Sequence, residues 1–411
     1  MTDRSRHATA PTAPTAAPPG PPGPPGAPAS PAILAVKATA PAAARSRRGH
    51  GRITLQEVAL AAGVTKVTVS RYLREPGRVA AETAGRIAQA LTSTGYVPNK
   101  QAGMLASGRS GVVAAIVPSL ANSVFAETVQ GLSDGLQPAG LELMLASSGY
   151  SLQREQAQIR AVLGWSPDAL AVTGRHHTPE ALAMLRAAVR AGTPIIELWD
   201  CEPQGAEFVQ IGFDHAEVGR AMARHLIEAG RWRLAYVDTF VAADFRAHER
   251  GKAFTAEARS ALQQRAGSPA PDVLAITAPA GDAFDAGRAA LHLLLGRGLP
   301  LCVDAVAFAN DHLACGMLLE AQRLGIAVPG QLALLGFGDF ALSRQLADGL
   351  STVQPPRYEI GAEAARTIID LLALPPGQRV AALAQQRQVA WQLVPRGSTA
   401  AALQGDAVNW R

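Results

Sequence analysis

Apolar residues recur at two different spacings along this chain, and the change of spacing divides it. From Leu55 onward, Leu55, Val58, Ala59 and Ala62 fall at i, i+3, i+4 and i+7, the repeat of one helix face. Thr54 with Glu57 three places later is a capping-box signature for the start of that helix. Gly63, which tolerates positive φ, marks its end. Thr65 is a second N-cap candidate, and a new helical segment runs from Lys66 to Leu73. Two short helices around a glycine turn predict a helix-turn-helix. A third helix is predicted from about Ala81 to Thr94, with Ile87, Ala90 and Leu91 on one face and Gly95 at its end. Three helices make a minimal core able to hold the second one rigidly.

From Gly111 the rhythm becomes strand followed by helix. VVAAIVP, LELMLASS, DALAVT, TPIIELWD and FVQIGF are short apolar runs separated by helical patterns over Val124 to Leu136, Arg154 to Leu163 and Pro179 to Ala191. A second set, RLAYVDT, DVLAIT, DAVAFAN and LALLGFGD, alternates with helices around Val218 to Ala229, Phe284 to Leu295 and Leu313 to Leu324. Such alternation predicts parallel sheets covered by helices on both faces. The expected fold is therefore α/β: a three-helix head, then two doubly wound parallel-sheet lobes in series, with a ligand cleft at the carboxyl ends of their strands.

Two segments lack a core of their own. Residues 1–48 are dominated by Ala, Pro, Gly, Thr and Ser, including PPGPPGPPGAP, and predict a disordered or polyproline-like arm closed by Arg45, Arg47 and Arg48, with Arg52 beyond. Between head and lobes, Pro98 keeps Val97 out of the helical region, and Lys100 to Leu105 spans barely two helical turns. Gly103 costs that helix about 1 kcal/mol relative to Ala, and isolated helices this short seldom persist in water. Residues 99–110 are thus expected to be a hinge that orders only on DNA. Leu105 would be its apolar wedge in the minor groove, with Asn99, Lys100 and Ala102 as further contacts. The expected divisions are the arm, a head over 49–98, the hinge, the lobes over 111–398 and a tail over 399–411.

Charge sharpens this picture. The 411 residues carry a net charge of only +5, but residues 45–109 hold eleven Lys or Arg against three glutamates. A basic head on a mildly acidic body suits a nucleic-acid contact confined to one end. On the second helix, at about 100° per residue, Lys66, Val67, Ser70, Arg71 and Arg74 share an arc of roughly 140° that excludes Val69, Tyr72 and Leu73. Lys66 and Arg71 suit guanine edges or phosphates and Val67 a thymine methyl. Thr54, Thr65, Thr68 and Ser70 suit phosphate oxygens. Cys201, Cys302 and Cys315 are widely spaced with no C-x-x-C pair, which suggests neither a disulfide framework nor a zinc site. No apolar run approaches the ~20 residues of a bilayer span and no secretory h-region follows Arg4 and Arg6, so no membrane partner and a cytoplasmic location are expected. The absence of G-x-x-x-x-G-K-[ST], H-E-x-x-H and G-x-S-x-G patterns argues against an enzyme. A reading head argues against a plain solute-binding protein.

The order of these parts resembles the LacI/GalR family of transcriptional regulators. TLQEVALAAGVTKVTVSRYL, GYVPN, FANDHLACGML and the closing LVPRGST carry the resemblance over roughly residues 52–398. Within the family the chain is most similar to the gluconate-utilisation repressors, through PSLANSVFAE, GYSLQREQAQIRAVLGWSPDALAVTGRHHTP and IIELWD. The resemblance implies a homodimer or tetramer that binds double-stranded operator DNA and leaves it when a sugar acid binds. It implies no cofactor beyond that small-molecule effector.

A polyol carboxylate needs cationic or N–H donors and groups that bond hydroxyls. Strand-end loops offer Ser119, Asn122 and Phe125; Arg175, His176 and His177; and Glu197, Trp199 and Asp200. The second lobe offers Arg246, His248 and Arg250, then Asn310 and Asp311, then Asp339. Asn310 and Asp311 match the family's effector motif best. Two departures stand out: His248 occupies the arginine position of the family's R-x-x-G pattern, and Gly336-Phe337-Gly338-Asp339 replaces its G-Y-D-D, removing one acidic contact.

Overall fold

The computed structural model describes residues 53–97, 108–120, 124–202, 206–266, 273–297, 302–346, 348–379 and 386–400. The chain divides between Val97 and Pro98 into two compact units.

The first unit contains α1 (Leu55–Ala62), α2 (Lys66–Arg74) and α3 (Ala81–Thr94). The capping box forms as its residues dictate: Thr54 N donates to Glu57 Oε2 over 2.6 Å, and Glu57 N donates to Thr54 Oγ1 over 3.4 Å. Gly63 closes α1 at φ 63°, where a side chain would be strained. Thr65 caps α2 by accepting from Thr68 N at 3.2 Å. Val58, Ala59, Ala62, Val69, Ile87 and Ala90 form a small core, with Tyr72, Leu73 and Leu91 packed around it.

The second unit holds two six-stranded sheets. The first contains β1 (Val112–Val117), β2 (Glu142–Ser147), β3 (Ala169–Thr173), β4 (Ile195–Leu198) and β5 (Val209–Gly212). The second contains β6 (Leu234–Asp238), β7 (Leu274–Thr277), β8 (Ala305–Phe308), β9 (Ala333–Phe337) and β10 (Ser351–Gln354). Two further strands, β11 (Gln386–Gln388) and β12 (Gln392–Val394), complete orders β11-β5-β4-β3-β1-β2 and β12-β10-β9-β8-β6-β7. Only the β10–β12 pair is antiparallel among the described ladders. Helices cover both faces, which is why runs such as Ala169–Thr173 are buried at every residue rather than at every second one.

The lobes are interleaved rather than in series. The chain leaves the first sheet after β5, returns after β10 through the helix Arg357–Ala373 to add β11, and crosses again to add β12. Hydrophobic period identifies a strand but not the sheet it joins, and β11, the polar QRQ, carries no apolar run at all.

The returning helix packs on the helix Phe125–Leu136 at backbone distance. Gly131 and Gly361 face each other there, and a Cβ on Gly361 would fall inside the contact shells of Thr128 O and Leu132 N. Thr128 Oγ1 donates to Arg357 O at 2.8 Å in the same contact. A Gly361→Ala substitution gains about 1 kcal/mol of helix propensity but overpacks two rigid backbones, typically by 1–3 kcal/mol or more. Because the Cβ would press into backbone atoms, the upper end of that range applies, and we predict a net loss of about 2 kcal/mol or more, read as a lowered Tm in thermal unfolding; an unchanged or raised Tm would show that the helices part at no cost.

Candidate functional site

In the first unit, Lys66, Val67, Arg71 and Arg74 are exposed on one side of α2 while Val69 is buried on the other. Val67, at 64% exposure, places an apolar side chain among these cations on the same face. Thr65 is exposed, and Thr68 and Ser70 are half-buried beside this face. Thr54 is exposed, and its hydroxyl donates to Glu57 Oε2 at 2.9 Å. The hinge candidates Asn99, Lys100, Ala102 and Leu105 lie outside the described residues.

In the second unit, strand-end loops of both lobes surround a cavity of ≈ 530 Å³ including its open mouth. The first lobe contributes the aromatic walls Phe125, Tyr150 and Trp199, and the second contributes Phe337, Phe340 and His312. Between them stand Arg246 and Arg250, one turn apart on the helix Phe245–Ala266 and 8% and 4% exposed. The spacing of four residues puts both guanidinium groups on one helix face.

These two cations are incompletely neutralised. Arg250 donates to His215 Nδ1 and to Ala309 O, each at 2.9 Å, and lies 3.7 Å over the Phe337 ring. Its Nε is buried without a partner among the described residues. His215 cannot share the charge: burial pushes its pKa well below the usual range, and its ring bonds Trp199 O at 2.7 Å through Nε2, which leaves Nδ1 to accept from Arg250. Arg246 sits 5.6 Å over Phe125, with Asp200 Oδ2 4.0 Å away. Burial raises Asp200 to about 6 against the pull of Arg246 and Arg175. The positive end of the helix Phe245–Ala266 adds to the same field. A second helix, Asp311–Arg323, starts at the cavity, capped by Asn310 Oδ1 accepting from Leu313 N at 3.1 Å. Aromatic walls around buried cations and helix N-termini suit a small organic anion with C–H faces.

Of the expected residues, Phe125, Trp199, Arg246, Arg250 and Asn310 line this cavity, and His176 lines an adjoining one. Asn122 lies outside the described residues, and Ser119 is half-buried nearby without lining either cavity. Other members are engaged with protein partners. Arg175 pairs with Asp200 at 3.1 Å, Glu249 at 3.3 Å and Glu202 at 3.4 Å, bridging the lobes. His176 stacks on Phe245 at 4.5 Å across the same junction. Glu197 accepts from Gln210 Nε2 at 2.8 Å. His248 bonds Asp238 at 2.7 Å and Val241 O at 3.1 Å. Asp311 is fully buried and accepts from Phe340 N, Ser343 Oγ and Thr352 Oγ1. Asp339 accepts from Arg344, Arg396 and Gln354. The cause is common: a desolvated carboxylate must collect donors, and here the neighbouring loops supply them before a ligand does. Where the family's acid is replaced by Gly338, the Arg357 guanidinium donates to the Gly338 carbonyl oxygen.

Sequence reasoning missed Tyr150, His215, Asp244, His312, Phe337 and Phe340. Tyr150 follows β2 and His215 follows β5, two strand ends that contributed no expected residue, and Phe337 and Phe340 flank the Gly338–Asp339 pair. No group of residues suited to hold a metal ion occurs among the described residues, and none of the described helices is long and apolar enough to cross a membrane.

Residues 54–99 match the model of the bacterial regulatory proteins of the lacI family, and residues 223–399 match a periplasmic binding protein-like domain. The chain is 39% identical over 329 residues to the HTH-type transcriptional regulator GntR of Pseudomonas aeruginosa, covering 80% of this chain and 92% of that protein. It is 32% identical to the regulator of the same name in Escherichia coli K12, covering 77% and 91%. Among solved structures, a LacI-family regulator from Silicibacter pomeroyi superposes with a TM-score of 0.73 at 32% identity, covering 85% and 99%. The transcription regulator GntR from Chromobacterium violaceum does so with a TM-score of 0.59 at 29% identity, covering 70% and 99%. A helix-turn-helix unit followed by a two-lobed ligand-binding unit defines a DNA-binding transcriptional regulator that answers to a small molecule. The chain belongs to the LacI family.

Two outcomes follow from these geometries. Lys66→Ala or Val67→Ala is expected to change operator sequence preference, and Thr65→Ala or Ser70→Ala to weaken all sites alike, in binding assays across operator variants. An unchanged preference in Lys66→Ala would remove α2 from base reading. In the second unit, the buried His177 ring lies 2.6 Å from Glu155 Oε1 and 3.4 Å from Glu197 Oε1, and these carboxylates raise it from 6.5 to about 9 against the cost of burial. A pKa raised on folding stabilises below the unfolded value, so the contribution is complete below pH 6.5 and lost as pH rises through about 9. His177→Gln is therefore expected to flatten the decline in Tm across that window; an identical slope would place the charge elsewhere.

Proposed function

We propose that this regulator is a repressor, acting as a homodimer in the cytoplasm, that leaves its operator when a sugar acid of the gluconate type binds between the lobes. The observation that carries the reading is the pair Arg246 and Arg250, two buried cations facing an aromatic-walled cavity with one guanidinium nitrogen unpartnered. A neutral hexose would bring no counter-charge to either arginine. A carboxylate supplies the missing acceptor in the charge-assisted form that is worth most. Asp244 and Asn310 line the same cavity and suit hydroxyl groups. The names of the relatives, GntR and IdnR among them, agree with a sugar-acid regulator.

In this mechanism the head, over residues 49–98, reads one half-site and its twin on a second chain reads the other. The hinge over 99–110 orders on the DNA, where Asn99, Lys100, Ala102 and Leu105 meet the minor groove. Effector binding draws the lobes over 111–398 to a new closure, which separates the paired hinges and frees the heads from fixed half-site spacing. The Arg175–Glu249 pair and the His176–Phe245 stack, which already bridge the lobes, are the contacts this closure must keep or remake.

In titration calorimetry, gluconate is expected to bind and a neutral hexose not to. Arg246→Gln should weaken gluconate about 10- to 100-fold, the 1.5–3 kcal/mol of a hydrogen bond to a charged group, while operator binding without effector stays intact. Tighter binding of the neutral hexose than of the acid would overturn the sugar-acid assignment and leave the family membership standing.

A further inference from the structure

A second cavity adjoins the first. It is lined by Ser148, Ser151, Glu155 and His176 among others, and it shares Tyr150 and Arg246 as walls with the cavity described above. The two spaces therefore meet at those two side chains. Ser148 is 4% exposed, and its hydroxyl has no hydrogen-bond partner among the described residues. Glu155, 6% exposed, spends Oε1 on His177 Nδ1 at 2.6 Å, and its other oxygen accepts nothing among the described residues. The Glu155–His177 bond ties the carboxylate, in the first turn of the helix Leu152–Leu163, to the loop that follows β3. Burial raises the Tyr150 hydroxyl above its usual pKa, which keeps it a neutral donor at the junction. A hydroxyl and a carboxylate oxygen that hold no protein partner among the described residues, on residues lining this cavity, can bond a ligand's hydroxyl groups in place of water.

The chemistry of the two cavities differs. The first is cationic and aromatic, the second rich in acceptors and hydroxyls, with Arg246 between them. A single molecule that satisfies both carries an anionic group at one end and hydroxyl groups at the other. Its hydroxyls must be strung out rather than gathered on one ring, because a molecule that occupies both cavities has to span the junction lined by Tyr150 and Arg246. A pyranose keeps its hydroxyls on a compact ring that occupies one cavity. An open-chain polyhydroxy acid held by its carboxylate at Arg246 and Arg250 extends past Tyr150 and offers its far hydroxyls to Ser148 and Glu155.

We propose that the pocket of Ser148, Ser151 and Glu155 is a tail subsite that selects open-chain aldonates by length. The assignment rests on the sugar-acid reading of the main cavity. It assigns the second pocket to the far hydroxyls of a six-carbon chain, which a four-carbon chain does not reach.

The test is titration calorimetry of the full chain with gluconate, the four-carbon acid erythronate and the ring acid glucuronate, in the unaltered protein and in Ser148→Ala and Glu155→Gln. In the unaltered protein gluconate should bind at least about tenfold more tightly than either other acid, as one or two added hydrogen bonds allow. Ser148→Ala, which removes only an oxygen atom, should weaken gluconate about 3- to 10-fold and leave erythronate unchanged. Glu155→Gln, which retains a side-chain oxygen to accept from His177, should act in the same direction. Equal losses for gluconate and erythronate, or no loss for either, would overturn the subsite while the sugar-acid reading stands. Binding of none of the three acids by the unaltered protein would sink both.

Discussion

Two arginines one helical turn apart, buried against aromatic rings and without a full set of counter-charges, set the terms for the second unit of this protein. A desolvated guanidinium is costly unless something of opposite charge approaches it. Arg250 meets that cost in part through a neutral histidine, a carbonyl oxygen and the face of Phe337. Arg246 has, among the described residues, Asp200 at 4.0 Å and the face of Phe125. The arrangement persists because the helix that carries both cations is packed along its length against the neighbouring helix His215–Glu228, where a Cβ on Gly219 would collide with the Arg250 carbonyl. The scaffold thus holds a charge imbalance open at the point where the lobes meet.

That location matters for how a bound anion would act on DNA. The aromatic walls come from both sheets, and Arg175 with Glu249 and His176 with Phe245 tie the same two sides together. A ligand that neutralises the arginines changes the balance of attraction across this seam, and the three crossings of the chain make any movement of one lobe a movement of the segments that join them. On the proposed reading, charge at the seam is a physical lever for population shift rather than a local detail.

Much of this was legible before any coordinates. The head could be read almost residue by residue, because caps, glycine stops and helix period are local signals: Thr54 with Glu57, Gly63, Thr65 and Gly95 all act where local chemistry places them. The strands β1 to β9 showed themselves as apolar runs, whereas β10, with the sequence STVQ, and the polar β11 did not. Interleaving of the lobes was hidden, since pairing between strands far apart in sequence leaves no local mark. In the cleft, strand-end position selected Phe125, Trp199, Arg246, Arg250 and Asn310, but it could not tell a side chain aimed at the cavity from one turned back into the protein. Asp311 and Asp339 were such cases, their carboxylates satisfied by nearby hydroxyls, backbone N–H groups and arginines. His215 was hidden for the opposite reason: a fully buried histidine in a helix start reads as core until its ring is seen to hold an arginine in place.

The central claim is that a sugar acid at the arginine pair and operator DNA at the helix-turn-helix are coupled through one protein. The most direct measurement is a two-way linkage experiment: operator affinity with and without gluconate, and gluconate affinity with and without operator, on the same preparation. Linkage requires the two factors to be equal. Gluconate is expected to weaken operator binding, and operator to weaken gluconate binding, by the same factor of roughly 5- to 150-fold. Gluconate binding that leaves operator affinity unchanged, or strengthens it, would contradict that expectation.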